Sequence, residues 1–474
     1  MGARKLLPIF VFSLLTLLVF YQYFLNHKLP IPGDILIGHY HPWADSLWDG
    51  RQTIYPIKNW HFFDGIRQTL PWRLLAIRQI KEGIGPFWNR YSFAGTPLLG
   101  NWQTGVLYPL NLLFVFLPEL DAWSVYIILQ PFLAGLFLFY FLKDLVKKKL
   151  PAFFGAIAWG LSLVMINHWE YGIDGHTMLW LPLSLWAINR LSQKITFWGS
   201  FCLLLATLST LLAGYPPLAV YCLGLVFIYS IFKVRPVLSA KMFFIFGLVG
   251  LGIVISLPQI APSLDLIAES SSGVAAGVLD QEYFLPIGNL IMTFAPDFFG
   301  HQVTRNSFSK TYYSDSPAIG AAGLVFFVFA VCLLFFKKNK QRREMFFWFL
   351  VATIPILLML ENPFSVFFAS LPVNLIASVS PIKMTWLVSL SLSILATLAM
   401  VQLEKLLANK KFLILLLPPF VLVAFFWFLS LLIPENAVDR LVSQRNLLIP
   451  SFVALATLFL LLFSFKFNRF YKWA

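Results

Sequence analysis

Apolar runs of about twenty residues recur along the chain, each closed by a short polar or basic break, and a helix needs roughly that length to cross a bilayer's hydrocarbon core. Read this way, the pattern predicts twelve spans, near 6–26, 121–142, 151–167, 176–190, 195–213, 217–233, 241–262, 317–336, 344–361, 384–403, 412–433 and 446–466. The one long polar interval, 27–120, separates the first span from the second. Glycines and prolines break its second half (Gly83, Gly85-Pro86, Gly95-Thr96-Pro97, Gly100, Tyr108-Pro109), so it should fold as short helices joined by specified turns. A second polar interval, 263–316, has the look of a flap, with SSSGVAAG at 270–277 near its start. The segment 362–383 is apolar but cut by Pro363, Pro372 and Pro381, which suits a re-entrant or interfacial piece packed against protein. The expected fold is therefore an all-α polytopic membrane protein, one integral membrane domain over 1–474.

Composition agrees. The chain is 59% hydrophobic and 17% aromatic but only 12% charged, where a soluble domain has about one quarter charged residues. A net charge of +14 could suggest nucleic acid, yet the basic residues stand in short clusters between apolar runs, which is the positive-inside signal. With the N-terminus inside, the inner loops take Arg4/Lys5, Lys143/Lys147/Lys148/Lys149, Lys233/Arg235/Lys241 and Lys337/Lys338/Lys340/Arg342/Arg343. Of the 21 acidic residues only Asp144, Glu344 and Glu404 then fall inside. Both termini are placed in the cytoplasm, and function is to be sought on the outer face. Cys202, Cys222 and Cys332 all lie in apolar runs, so there is neither a disulfide framework nor Cys/His zinc spacing.

No soluble-enzyme motif is present; the chemistry must come from polar residues gathered on one face. In 27–120 the candidates are Asp34 and Asp64 as carboxylates, with Arg67, Gln68, Trp88, Asn89, Arg90, Asn101, Gln103 and Tyr108 as lining groups. Asp64 is equally readable as a helix cap or a surface carboxylate, and the aromatic residues as an interfacial belt. Gln68 lies one helical turn from Asp64, and Arg67 and Arg73 nearby would keep a base ionised. In the short outer loop 168–175, His168, Glu170 and the adjoining His176 are polar enough to line a site, but no ligand spacing singles them out for a metal. Lys383, at the head of a span, is either a phosphate contact or a snorkelling anchor.

The stretch PFWNRYSFAGTPLLGNWQTGVLYPLNLL at 86–113, preceded by Asp64, Gln68 and Pro71-Trp72, resembles the first external loop of YfhO-like bacterial membrane proteins. Asp64, Gln68, Trp88, Asn89, Gly95, Pro97, Asn101, Gln103, Tyr108 and Pro109 carry the likeness, and GYPP at 214–217 and PDFFG at 296–300 resemble further landmarks. The chain departs from the family where an Arg-x-Pro-x-Arg region reads SVSPIKM, leaving Lys383 as the cation. The resemblance implies a GT-C-like membrane glycosyltransferase of the bacterial plasma (inner) membrane. Its donor would be a polyprenyl-phosphate-linked sugar moving among membrane lipids, its acceptor an envelope glycan or glycolipid. Asp64, with Asp34 as competitor, would be the base that activates the acceptor hydroxyl or would hold a metal doing that work. The resemblance leaves any cofactor open, a divalent cation such as Mg²⁺ or Mn²⁺ being the kind that suits a departing phosphate.

Two other classes compete: a transporter or flippase of a lipid-linked glycan, and a noncatalytic membrane scaffold. Transporters tend to carry charges at mid-membrane in broken helices and repeated halves, and this sequence has few charges within its apolar runs. The sidedness is directly testable. In a background lacking the three native cysteines, single cysteines at Gly50, Ser272 and Asn436 should react with an impermeant thiol reagent in intact cells, and cysteines at Asn339 and Asn409 should not. Protection of Ser272 together with labelling of Asn339 would reverse the assignment.

Overall fold

In a computed structural model, the described residues are 3–47, 63–269, 284–309, 316–336, 341–369, 381–406 and 412–466. The topology positions Gly50, Ser272, Asn339 and Asn409, the flap's 270–283 and 310–315, and 370–380 of the proline-cut segment all lie outside them. Among the described residues the chain is almost wholly helical. It begins with α1 (Ala3–Val19), α2 (Gly33–His39) and α3 (Leu70–Lys81), then a two-stranded hairpin of β1 (Trp88–Asn89) and β2 (Thr96–Pro97). There follow α4 (Glu119–Val146), α5 (Lys149–Gly160), α6 (Leu163–His168), α7 (Asp174–Met178), α8 (Leu181–Gln193), α9 (Phe197–Leu212), α10 (Pro216–Lys233) and α11 (Ala240–Glu269). The remainder is α12 (Ala321–Phe336), α13 (Arg342–Met359), α14 (Thr385–Leu406), α15 (Leu417–Leu432) and α16 (Ala437–Lys466).

Six helical segments among the described residues are long and apolar enough to cross a membrane: Glu119–Val146, Pro216–Lys233, Ala240–Glu269, Pro381–Leu403, Leu413–Leu432 and Ala437–Phe465. The bent pair Lys149–Gly160 and Leu163–Tyr171, broken by 42°, makes a seventh if it counts as one span. Leu6–Val19, Phe197–Leu212 and Ala321–Phe335 are apolar but shorter. The run read from sequence as 176–190 is divided between α7 and α8, where Pro182 sits in the first turn of α8 and its missing N–H costs nothing.

The chain divides into two compact units. The first holds Met1–Phe137 and His168–Val278, the second Leu138–Asn167 and Leu279–Ala474. In the second, α14 is the central helix: 89% of its span is buried, against 28% for those of α15 and α16. Its sequence explains this. Ser389, Ser391, Ser393 and Thr397 are buried on it, and small side chains let neighbouring membrane helices approach closely. Ser393 and Thr397 return their hydroxyls to the carbonyls four residues back, at 2.9 Å each. A Cβ on Gly155 of α5 would collide with the Thr397 hydroxyl and lie 2.9 Å from the Ser393 carbonyl oxygen, so glycine alone permits that contact. By contrast α15 and α16 expose Phe420, Phe425, Phe428, Ile449 and Phe452, a surface that fits hydrocarbon.

In the first unit, α9 packs on α8 and α11. α11 contains Pro258 and Pro262, and the residues between and beside them, Ser256, Gln259 and Ser263, form a buried polar stripe. That stripe receives the polar interval: Gln259 Nε2 donates to the Leu99 carbonyl at 2.6 Å. Trp102 Nε1 donates to the Leu211 carbonyl at 2.8 Å. The 98–105 segment is thus fixed to α9 and α11, and the polar turns of the first unit are built upon it.

Candidate functional site

Asp64 stands at the start of a π-helical turn, Gly65–Thr69, that runs into α3. Its carboxylate is exposed and makes no capping hydrogen bond. The turn rests on a second one, the 3₁₀ turn Trp169–Tyr171: a Cβ at Gly65 would lie 2.8 Å from the Glu170 carbonyl oxygen, which restricts the position to glycine. Thr69 Oγ1 bonds the carbonyl oxygens of Gly65 (3.0 Å) and Tyr171 (2.9 Å). Asp34, in the first turn of α2, is close enough to Glu170 for their charges to interact. α2 is held there by Phe63, whose ring stacks on Tyr40 at 6.3 Å and meets His39 edge-on at 5.1 Å. The Arg67 guanidinium lies over the same Phe63 ring at 5.1 Å. Three separate segments therefore meet here: the turn that follows Asp64 lies on the Glu170 backbone, and Asp34 acts electrostatically on Glu170, while Gln68 is half-buried in the same turn as Gly65.

Below this surface lies a buried cation. Leu70, Arg73, Ala76 and Ile77 are the buried residues of α3, so the helical period itself carries Arg73 inward. Arg73 is fully enclosed. Nε donates to the Thr104 carbonyl at 3.1 Å and Nη1 to the Gly172 carbonyl at 3.3 Å. The guanidinium lies 4.6 Å from the Tyr126 ring centroid and 5.8 Å from that of Trp123, both on α4. No carboxylate pairs with it among the described residues, and Nη2 has no hydrogen-bond partner. None of its bonds or ring contacts goes to Asp64, so its sequence-based role as a charge beside that carboxylate gives way to one as an internal clamp. Tyr126 completes the clamp by donating to the same Gly172 carbonyl at 2.9 Å.

Tyr108 and His176 also turn inward. His176 Nε2 meets the Tyr126 carbonyl at 3.0 Å, and only an N–H can bond a carbonyl. Nδ1 is then the acceptor for the Tyr108 hydroxyl at 3.0 Å, and Tyr108 in turn accepts from Trp180 Nε1 at 2.8 Å. Burial, and secondarily the nearby Tyr126, holds the Tyr108 phenol well above its ordinary pKa, so it stays a donor. The chain of bonds is closed.

The other residues singled out from sequence divide by exposure. Asn89 accepts from the Tyr91 N–H (2.9 Å) and donates to Ser92 (3.0 Å), shaping the hairpin; Asn101 accepts from the Gln103 N–H at 3.2 Å and caps a 3₁₀ turn. Trp88 and Arg90 are exposed and Gln103 half-buried. His168 lies 3.7 Å from Asp174, both buried. Lys383 belongs to the second unit, half-buried in the 3₁₀ turn Pro381–Met384. No three His, Cys, Asp or Glu side chains gather as a metal cage among the described residues. Sequence reasoning passed over Asp297, whose carboxyl is raised by burial and opposed by His301. Its loop is tied to α16 by Asn446 donating to the Asp297 carbonyl at 2.5 Å; the PDFFG run was the available signal.

No family model matches this chain, and no curated protein matches it in sequence.

The clamp has a measurable consequence. Arg73→Met strands the Thr104 carbonyl, at roughly 1–3 kcal/mol, and removes the second of the two donors to the Gly172 carbonyl, which keeps Tyr126, at roughly 1 kcal/mol. Thermal unfolding of the purified protein should show a loss of about 2–4 kcal/mol, whereas Arg67→Met, at an exposed site, should stay within about 0.5 kcal/mol of the parent. Equal melting temperatures for Arg73→Met and the parent would mean that Arg73 does not act as a clamp.

Proposed function

We propose that this protein is a membrane glycosyltransferase of the GT-C class that transfers a sugar from a polyprenyl-phosphate donor to a cell-envelope acceptor. The reading rests on the resemblance of the first polar interval to that of YfhO-like proteins. The structural observation that supports it best is the exposed Asp64 at the head of a turn pinned on the Glu170 turn, with Asp34 acting on Glu170. Transfer needs a base for the acceptor hydroxyl, and an exposed carboxylate on a pinned turn suits that task. Asp64 takes this role, with Gln68 to orient the acceptor and the Glu170 turn packed against the one that carries it. Gln103, half-buried on the 3₁₀ turn that Asn101 caps, offers surface against which a sugar would lie.

The same proposal carries the finer topology: twelve spans, both termini cytoplasmic, the polar interval on the outer face of a bacterial plasma membrane. Among the described residues six helical segments, or seven with the bent pair, have the length and apolarity of a span, and three shorter apolar helices fall within further spans of this topology. Lys383 is assigned the donor phosphate on its chemistry, as a cation in a proline-bounded turn at the head of α14. A metal is compatible with the carboxylates but is not required by the proposal.

Reconstitution in vesicles with radiolabelled polyprenyl-phosphate sugars tests the reading, scored separately for transfer to acceptor and for movement across the bilayer. Movement without transfer would mark a flippase. Asp64→Asn, which keeps the shape and removes the charge, should cut transfer at least about 10²-fold at parental membrane abundance. A dead Asp34→Asn beside a normal Asp64→Asn would hand the role to Asp34.

Lys383→Met is a second measurement. A charge-assisted contact to phosphate contributes roughly 1.5–3 kcal/mol, so donor use should weaken about 10- to 100-fold with little loss of folded protein. Unchanged kinetics would leave Lys383 as a snorkelling anchor.

A further inference from the structure

The β1–β2 hairpin presents its aromatic side chains outward. Phe87, Trp88 and Tyr91 are exposed, and Phe93 at the tip is 97% exposed. Phe93 and its neighbour Ala94 both have positive φ, 50° and 62°. Non-glycine residues seldom adopt that region, and a bulky one there signals a conformation held for a purpose. A soluble surface has no reason to hold a strained backbone in order to present a phenylalanine to water.

The height of the tip can be read from two bonds. Gln79 Nε2 of α3 donates to the Trp88 carbonyl at 2.9 Å, fixing the hairpin to the end of α3. One residue earlier, Arg78 makes a two-pronged ion pair with Glu119, its Nε 2.8 Å from Oε1. Glu119 is the first residue of α4, a helix long and apolar enough to cross a membrane. Tyr23, just past α1, also meets this turn, donating to Asp121 at 3.1 Å. The hairpin is therefore level with the first turn of a helix long and apolar enough to cross a membrane. Just before that span, the turn Leu113–Phe116 leaves Leu112, Val115 and Phe116 exposed, Phe116 at 81%.

We propose that the hairpin tip and the 112–116 turn together form an interfacial anchor that enters the headgroup region of the leaflet in which α4 begins. Its partner is the lipid surface itself. Aromatic and aliphatic side chains at that depth bury their apolar bodies among acyl chains. Arg90, whose guanidinium lies 5.3 Å from the Tyr91 ring, and exposed Lys81 supply cations at the level of lipid phosphates. Continuity with an aliphatic turn that leads into a span favours lipid over a glycan, since Leu112 and Val115 offer nothing for a sugar to stack on. The anchor is independent of any glycosyltransferase activity.

The test uses the full-length protein with its three native cysteines replaced, in vesicles of phosphatidylcholine and phosphatidylglycerol. An environment-sensitive NBD label on Phe93→Cys, and separately on Phe116→Cys, should show blue-shifted emission. Acyl chains spin-labelled near the headgroup should quench it, and aqueous iodide should not. Both native side chains are exposed, so neither substitution disturbs packing. A third protein, with the label on Tyr91→Cys and the added change Phe93→Asp, should lose the lipid quenching seen for the Tyr91 label alone. Iodide quenching without lipid quenching at Phe93 and Phe116 would overturn the proposal, as would lipid quenching that survives Phe93→Asp unchanged. A Phe93 label indifferent to spin-labelled lipid but responsive to added dextran oligosaccharides would make the hairpin a glycan-stacking finger instead.

Discussion

A guanidinium enclosed by protein with no carboxylate paired to it among the described residues must be neutralised by dipoles and ring faces, and Arg73 dictates where those have to stand. Its two carbonyl partners come from Thr104 and Gly172, residues far apart in the chain, and its two rings from α4. The spaces around it admit no side chain. A Cβ at Gly105 would be 2.7 Å from Nη2, and one at Gly172 would be 2.6 Å from the Trp123 ring. The left-handed backbone at both glycines, φ 54° and 67°, disfavours any alternative residue as well. Burying a charge this way is expensive unless every partner is in register. The arrangement therefore specifies one mutual placement of α3, the 104–105 turn, the 172 turn and α4, and that placement is what brings the Gly65 turn onto the Trp169–Tyr171 turn.

The two units meet the constraint of a membrane by different means. In the second, α14 is buried through small side chains: Ser393 and Thr397 bond back to carbonyls of their own helix, while the buried hydroxyls of Ser389 and Ser391 make no hydrogen bond among the described residues. In the first, polar groups are recruited instead: Gln259 holds the Leu99 carbonyl, Trp102 the Leu211 carbonyl, and Tyr108, His176 and Trp180 bond one another. A polar interval that sits against apolar helices has to close its backbone bonds with side chains, because little water is there to do it. So many of its polar residues are committed to the fold for that reason.

That commitment is also where sequence reading runs out. The apolar runs showed a helical membrane protein, and the glycines and prolines of 83–109 showed short pieces joined by turns, as α3, the hairpin and the 3₁₀ turns are. Arg73 was misread as a charge beside Asp64, although it shares the helical period of Leu70, Ala76 and Ile77, and a period places a side chain inward whatever its charge. What the pattern could not carry was pairing at long range. Tyr108 and His176, 68 residues apart, look like two polar residues facing an outer solution, and only their closed bond shows them facing each other. Asn89 and Asn101 are the local version of the same difficulty, since an asparagine that shapes a turn and one that binds a ligand are written alike. Asp34, Asp64 and Glu170 were each legible as carboxylates, whereas the meeting of the Gly65 turn with the Glu170 turn depends on the Arg73 clamp.

Sorting the polar residues by what remains uncommitted narrows the chemistry. Tyr108, His176, Asn89 and Asn101 have hydrogen bonds invested in the fold, so a ligand would have to break one to gain one. Asp64 is exposed, makes no capping bond, and stands on a turn that Gly65 and Thr69 pin from beneath. A catalytic carboxylate needs that combination: its own atoms free, and the backbone that carries it fixed within a fraction of an ångström. The buried network beneath Asp64 fixes the backbone that carries it. The same logic separates the hairpin tip from the carboxylates. Phe93 is also uncommitted, yet it offers only apolar area, and at the level of a span's first turn the solvent that rewards apolar area is lipid.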